Sequence, residues 1–277
     1  MLTTTVDGLW VLQVLSGIEV LAPELGFRPH LPSVETAQLA LAHPVCEELR
    51  AAGVITDDDS VDETVLEWLT VLSRRDVALL VYAQTPEQAT EPGRILLARF
   101  AQWWVALERS GLVVRLSGAG TATTEGAAGM LINAQIERLC GTLKPATLRP
   151  VTLDAAELLA AVKDQAGLSR FLLARRFDGD QVGALTLAAD TQRSAQASVV
   201  AIQSGMAAAP ARSHIDSGAV SIIDTPQGRL VSEHVTRGGR SWMIVSPGSP
   251  GNIGTAVQNM LRRLPAEDKW YSHRKVV

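Results

Sequence analysis

The sequence predicts an α+β chain: a single quasi-twofold domain with one central antiparallel β-sheet and a helical bundle at each end. Three observations predict it. Short apolar runs are separated by breaks of only a few residues, such as Ala101-Gln102 and Arg109-Ser110-Gly111, which antiparallel hairpins can bridge and parallel crossovers cannot. The order helices, strand, loop, three-strand meander, helix occurs twice, in pseudo-repeats of approximately 1–145 and 146–277. The helices that close the two halves share a stripe, Ala128, Ile132, Ile136 and Leu139 in one and Ile253, Val257, Leu261 and Leu264 in the other. Both step along one helical face.

In chain order, residues 6–20 carry Trp10, Val11, Leu12, Val14 and Leu15, a β-branched and aromatic enrichment that predicts a first strand, with 6–13 as its body. Ser33 followed by Glu35 predicts a helix start. Pro44 and Gly53 bracket a second helix with Val45, Leu49 and Ala52 on one face. A third is expected over 62–72, showing Val65, Trp68, Leu69 and Leu72. The pattern then predicts a strand over 77–84, a loop over 85–93 with two prolines and a glycine, and strands over 94–100, 103–108 and 112–116. A helix over 125–140 closes the half.

The second half opens with Asp154 and Glu157, an acidic variant of the capping box, ahead of Leu158, Leu159 and Val162. Helices are expected over 168–176 and up to Ala189, then a strand over 195–203 and a loop over 204–217. Strands over 219–224, 229–235 and 241–245 precede a helix over 251–264.

Composition narrows the function. A chain of 277 residues, 47% hydrophobic with a net charge of -4, is an ordinary globular class and lacks the basic excess of a nucleic-acid surface. The cluster Arg262, Arg263, Lys269, Arg274 and Lys275 reads as a solvated helix end and tail. Cys46 and Cys140 have no metal-site spacing and read as reduced thiols. Residues 1–15 have no basic region before their apolar stretch, so no signal peptide is expected, and no apolar run approaches the ~20 residues that span a bilayer. The expected location is the cytoplasm, with no membrane and no nucleic acid as partner.

No catalytic constellation emerges. Ser117-Gly118-Ala119-Gly120 sits where a dinucleotide fingerprint would, but Thr123 stands in place of its third glycine and the preceding strand belongs to a meander. A nucleotide- or small-molecule-binding enzyme using the Gly118–Gly120 turn is therefore the alternative reading, not the leading one. His214, Asp216 and Ser217 offer triad parts without a nucleophile elbow. Asp57, Asp58 and Asp59 lack the glycine and distal glutamate of a calcium loop and read as a solvated turn. No metal and no cofactor are expected. Adjacent Trp103 and Trp104 on one strand must point to opposite faces, one into the core and the other under helices or toward a partner.

The segments Val6-Asp7-Gly8-Leu9-Trp10-Val11-Leu12, Pro23-Glu24-Leu25-Gly26-Phe27-Arg28-Pro29 and His43-Pro44-Val45 resemble the EspG family of type VII (ESX) secretion systems. So do Gly228-Arg229-Leu230, Leu261-Arg262-Arg263-Leu264-Pro265 and Trp270-Tyr271. The opening and closing segments look most like the family member of the second ESX cluster. The resemblance implies a quasi-twofold fold, no cofactor and no enzymatic activity. It also implies a chaperone that binds PE–PPE heterodimers in the cytosol through the apolar tip of the PPE subunit. The partner surface it implies is the loop between the second and third strands together with the C-terminal helical bundle. The partner-binding candidates are Thr85, Pro86, Glu87, Gln88 and Glu91 in that loop, with Arg99, Gln196, Gln203, Ser232 and His234. Self-association through an exposed sheet edge, as a weak homodimer, is the remaining expectation.

Overall fold

The structure, a computed structural model, describes residues 1–88, 92–206 and 212–275. The chain opens with a short strand, β1 (Leu2–Thr5), and then a helix, α1 (Val6–Leu15), where a strand was expected. Thr5 caps the helix by accepting from the Gly8 amide, and Asp7 favours its positive end. Gly8, Leu9, Val11, Leu12, Gln13 and Val14 are all buried, so the helix has no polar face from which a 3.6-residue period could be read.

Helices α2 (Ala37–Leu41), α3 (Val45–Ala51) and α4 (Glu63–Arg74) follow. Thr36, not Ser33, caps α2. Glu35 is not a first-turn acid. It is buried, accepting from the Leu31 amide at 2.7 Å and the Trp10 indole at 3.1 Å, and pairs with Arg28. Strands β2 (Val77–Gln84), β3 (Gly93–Phe100), β4 (Trp103–Ser110) and β5 (Val113–Thr121) form the first meander, closed by α5 (Glu125–Cys140).

The second half repeats the opening pattern. A four-residue strand, β6 (Val151–Asp154), leads straight into α6 (Ala155–Ala161), and Asp154 caps it by accepting from the Ala156 and Glu157 amides. Helices α7 (Gln165–Ala174) and α8 (Gly179–Ala188) come next. Strand β7 (Ala195–Met206) is longer than expected, and β8 (Arg212–Ile215) pairs with it inside the segment expected to be a loop. Strands β9 (Val220–Thr225), β10 (Gly228–Arg237) and β11 (Arg240–Pro247) form the second meander before α9 (Pro250–Arg262).

All the strands belong to one antiparallel sheet in the order β1-β5-β4-β3-β2-β7-β9-β10-β11-β6, with β8 beside β7. Read outward from the β2–β7 pair, each half shows its strands in the same sequence. The sheet joins the halves through a long register from Val77↔Gln203 to Gln84↔Gln196. On one face, α1–α4 cover Leu80, Leu96, Ala98, Val105 and Leu107, while α6–α8 cover Ile223, Leu230 and Val245. On the other, α5 and α9 cover Val77, Leu79, Leu97, Val199, Ile222 and Val231. The alternation of strand side chains separates the two sets. It also separates the paired tryptophans, with Trp104 fully buried beneath α5 and α9 and Trp103 half exposed on the opposite face.

The C-terminal segment is strapped to the sheet. Arg99, wholly buried, donates to the carbonyls of Ala101, Tyr271 and His273 at 2.6–2.7 Å. Asp76 accepts from the Ala101 and Lys275 amides at 2.9 and 2.7 Å. Burial brings the Arg99 guanidinium down to about 10, with Asp76 opposing that shift and Arg274 adding to it.

The Gly118–Gly120 turn required by the enzymatic alternative is not formed. Both glycines lie inside β5, paired with β4 across a register shift, and the α5 N-terminus is capped by Thr124. Asp216 is held by Arg263 at 3.0 Å, so it does not orient His214. Among the described residues no group of three or more His, Cys, Asp or Glu could hold a metal ion, and no helix is long and apolar enough to cross a membrane.

Candidate protein-binding cleft

Between the two bundles one face of the sheet changes from apolar to polar, and Tyr82 there is exposed. The registers run Arg94↔Tyr82, Tyr82↔Ser198, Ser198↔Ser221 and Ser221↔Ser232, one row of side chains across five strands. The next row sets Gln84 opposite Gln196. Polar residues therefore pave positions that are apolar beneath the bundles. Gln196 Nε2 donates to Ser198 Oγ at 3.3 Å, and the Ser198 and Ser221 hydroxyls lie 3.3 Å apart.

Toward the C-terminal end this floor runs under α6–α8 into a cavity of about 310 Å³. Leu158, Leu159 and Val162 line it from above, and Gln196, Ser221, Ser232 and His234 from the sheet. The bundle does not close over it. Leu159 is 79% exposed, and Leu173 on α7 is also exposed. The Ser232 hydroxyl is buried and has no hydrogen-bond partner among the described residues. A buried polar group left unmatched costs about 1–3 kcal/mol, so this hydroxyl gains from an incoming group once the side chains above it part to admit one.

Of the residues singled out in the sequence, Gln196, Ser232 and His234 come together in this cleft. Thr85, Pro86 and Glu87 lie in the segment that follows Gln84, at the same end of β2 as the Gln84–Gln196 pair, with Pro86–Gln88 forming a 3-10 turn. The Glu87 backbone amide and the Thr85 hydroxyl hold the exposed Glu87 carboxyl below its ordinary value. Gln88 is described by its backbone alone, and Glu91 lies outside the described residues. Arg99 and Gln203 are elsewhere and buried. Arg99 grips the C-terminal strap, and the Gln203 side-chain oxygen accepts from the Ala266 amide at 2.9 Å. Both hold the chain's own last residues and present no partner surface in this conformation.

Sequence reasoning missed Tyr82, Ser198, Ser221 and Leu159. A signal was present. In β7, Gln196 and Ser198 alternate with Ala197 and Val199, a polar period of two in a strand whose other face is core.

Fold and cleft together define one antiparallel sheet flanked by helices, with a partly open cavity under α6–α8. The chain belongs to the EspG family, whose model matches residues 5–259. It is 52% identical to the ESX-2 secretion-associated protein EspG2 of Mycobacterium tuberculosis over 278 aligned residues, covering all of both chains. Its likeness to the ESX-5 secretion-associated protein EspG5 of M. tuberculosis is weaker, 27% over 99% of this chain and 97% of that one. The resemblance to the second-cluster member seen at the two ends of the sequence thus extends over the whole length. The fold matches that of the M. tuberculosis type VII secretion system chaperone EspG5, solved in complex with a PE25–PPE41 dimer. That match has a TM-score of 0.77 and 24% identity, and covers 98% of this chain and 99% of that one.

Proposed function

We propose that this chain is a cytoplasmic, non-enzymatic chaperone that binds the PPE subunit tip of a cognate PE–PPE heterodimer. It keeps the pair soluble and directs it to type VII (ESX) secretion. The observation that carries the reading is the open cleft under α6–α8, where exposed Leu159 overhangs a polar floor and the buried Ser232 hydroxyl lacks a partner. The relative solved with a PE25–PPE41 dimer supports the choice of partner.

The mechanism follows from burial. An apolar tip exposed to water drives self-association, and an apolar cleft with a polar rim removes that surface from solvent. The floor hydroxyls and amides then match the tip's polar groups and set its register. A contact of standard size buries about 1,200–2,000 Å². Thr85, Pro86 and Glu87 follow the Gln84 end of the floor, and the loop over 85–93, with Thr85, Pro86, Glu87, Gln88 and Glu91, is our candidate for a second contact. We read residues 1–145 and 146–277 as two pseudo-repeats of a single domain, a reading supported by the mirrored strand order and tested by superposing the halves.

Co-expression with PE–PPE pairs from several ESX clusters, followed by size-exclusion chromatography with light scattering, tests the function. The expected result is a stable 1:1:1 complex with the cognate pair only. Folded protein that binds none of them overturns the proposal. A mass that doubles with concentration in the absence of PE–PPE reveals the weak homodimer.

A further inference from the structure

A second and larger cavity, about 670 Å³, lies at the other end of the same sheet, where α4 crosses β4 and β5. It shares no residue with the cleft. Leu66 and Trp68 line it from α4, and Phe100 and Trp103 from the β3–β4 corner. Trp103 is 51% exposed. Gly118 forms part of the wall, and a Cβ there would stand 3.0 Å from the Trp68 indole nitrogen, so glycine lets that ring lie against the strand. Glu63 and Glu67, one helical turn apart on α4, also line it. Neither is ion-paired among the described residues. Among the described residues no Lys, Arg or His lines the cavity.

Glu63 suits the positive end of α4, yet neither carboxylate has a counter-ion beside these partly hydrated indoles. Together they match one ligand chemistry. The negative faces of aromatic rings and nearby carboxylates both attract a diffuse positive charge, while the apolar wall suits its alkyl groups. The Phe100 ring already has the Arg274 guanidinium 5.2 Å from its centre, so the aromatic surface left for a ligand cation is that of the two indoles. The volume suits a small organic molecule. A bare metal ion does not fit, because the carboxylates are two and no third ligand stands with them among the described residues.

We propose that this cavity binds a small alkylammonium cation, with Trp68 and Trp103 contacting the charged head and Glu63 and Glu67 supplying its counter-charge. The test uses the full chain labelled with 5-fluorotryptophan, with the resonances assigned through Trp68→Phe and Trp103→Phe. Choline is titrated against 3,3-dimethylbutan-1-ol, its uncharged carbon isostere. The expected result is that choline moves the Trp68 and Trp103 resonances and the alcohol binds at least about fivefold more weakly. The Glu63→Gln/Glu67→Gln variant, altered only at exposed positions, should lose choline affinity by a similar factor with an unchanged melting temperature. No response to choline overturns the proposal, as does an equal response to the alcohol. Full retention of choline binding in the double variant, or shifts confined to the other indoles, does so as well.

Discussion

At the N-terminal end of the sheet α1–α4 bury Leu9, Leu12, Leu25, Leu69 and Leu72 to at most 1% exposure and leave a cavity where α4 crosses β4 and β5. At the C-terminal end α6–α8 bury Phe171, Leu172 and Leu185 but leave Leu159 in solvent above a floor of Gln196, Ser221, Ser232 and His234, and Leu173 exposed elsewhere on α7. The two bundles sit on equivalent strands of a mirrored sheet. Away from that cavity the N-terminal bundle is filled, whereas the C-terminal bundle is open over the polar row of the sheet. The filled core secures the fold, and the open bundle keeps apolar and polar surface available for a partner.

Substitutions that distinguish the ends should break or sharpen this contrast. The largest stability loss is expected where the halves are tied together. Arg99→Met leaves three carbonyls and the Asp76 carboxylate without their buried cation, and should destabilise by about 3–5 kcal/mol in urea unfolding. Leu72→Ala, in the filled bundle, should cost about 2–5 kcal/mol by the same measurement.

The open bundle should respond in the opposite sense. Leu159→Asp should change stability by no more than about 0.5 kcal/mol, because the side chain is already in water, yet weaken PE–PPE binding at least about tenfold in calorimetry. Stability loss without binding loss would mean that α6 is merely structural. Ser232→Ala removes the hydroxyl and adds no atom. Its expected effect is neutral or slightly raised stability and a several-fold loss of affinity.

The smallest expected effect is on acid stability at the filled end. The Leu31 amide, helped by Arg28 and Trp10, holds the Glu35 carboxyl below its ordinary value of 4.5 against a burial that raises it. A depressed carboxyl stabilises the fold above its unfolded value, and that contribution is lost as pH falls through the folded one. Glu35→Gln should therefore reduce stability at pH 7 and flatten its decline below about pH 4.5, measured by melting temperature against pH.

Much of the fold was legible in particular residues. The α5 bounds follow from its apolar stripe, and the meanders follow from breaks too short for crossovers. Asp154 marked its helix start because a carboxylate there satisfies free amides. Where the reading failed, the pattern was missing or too short. α1 is buried on nearly every side and shows no helical period. β1 and β6 are four residues long, below the length at which alternation can be read. β8 forms because β7 runs past β9 and offers its remaining edge, a fact of pairing that no local window contains.

The cleft divides in the same way. Polar residues at alternate positions of β7 are a property of the sequence, and they determined that one face of that strand would be unlike a core. That Gln196, Ser232 and His234 share a single cleft, while Arg99 and Gln203 turn inward to hold the last residues of the chain, was decided by tertiary structure alone. The physical reason is range. Caps, hairpins and periodicity act over a few residues, whereas a cleft is set by which distant strands pair in register and by how completely a helical bundle covers them.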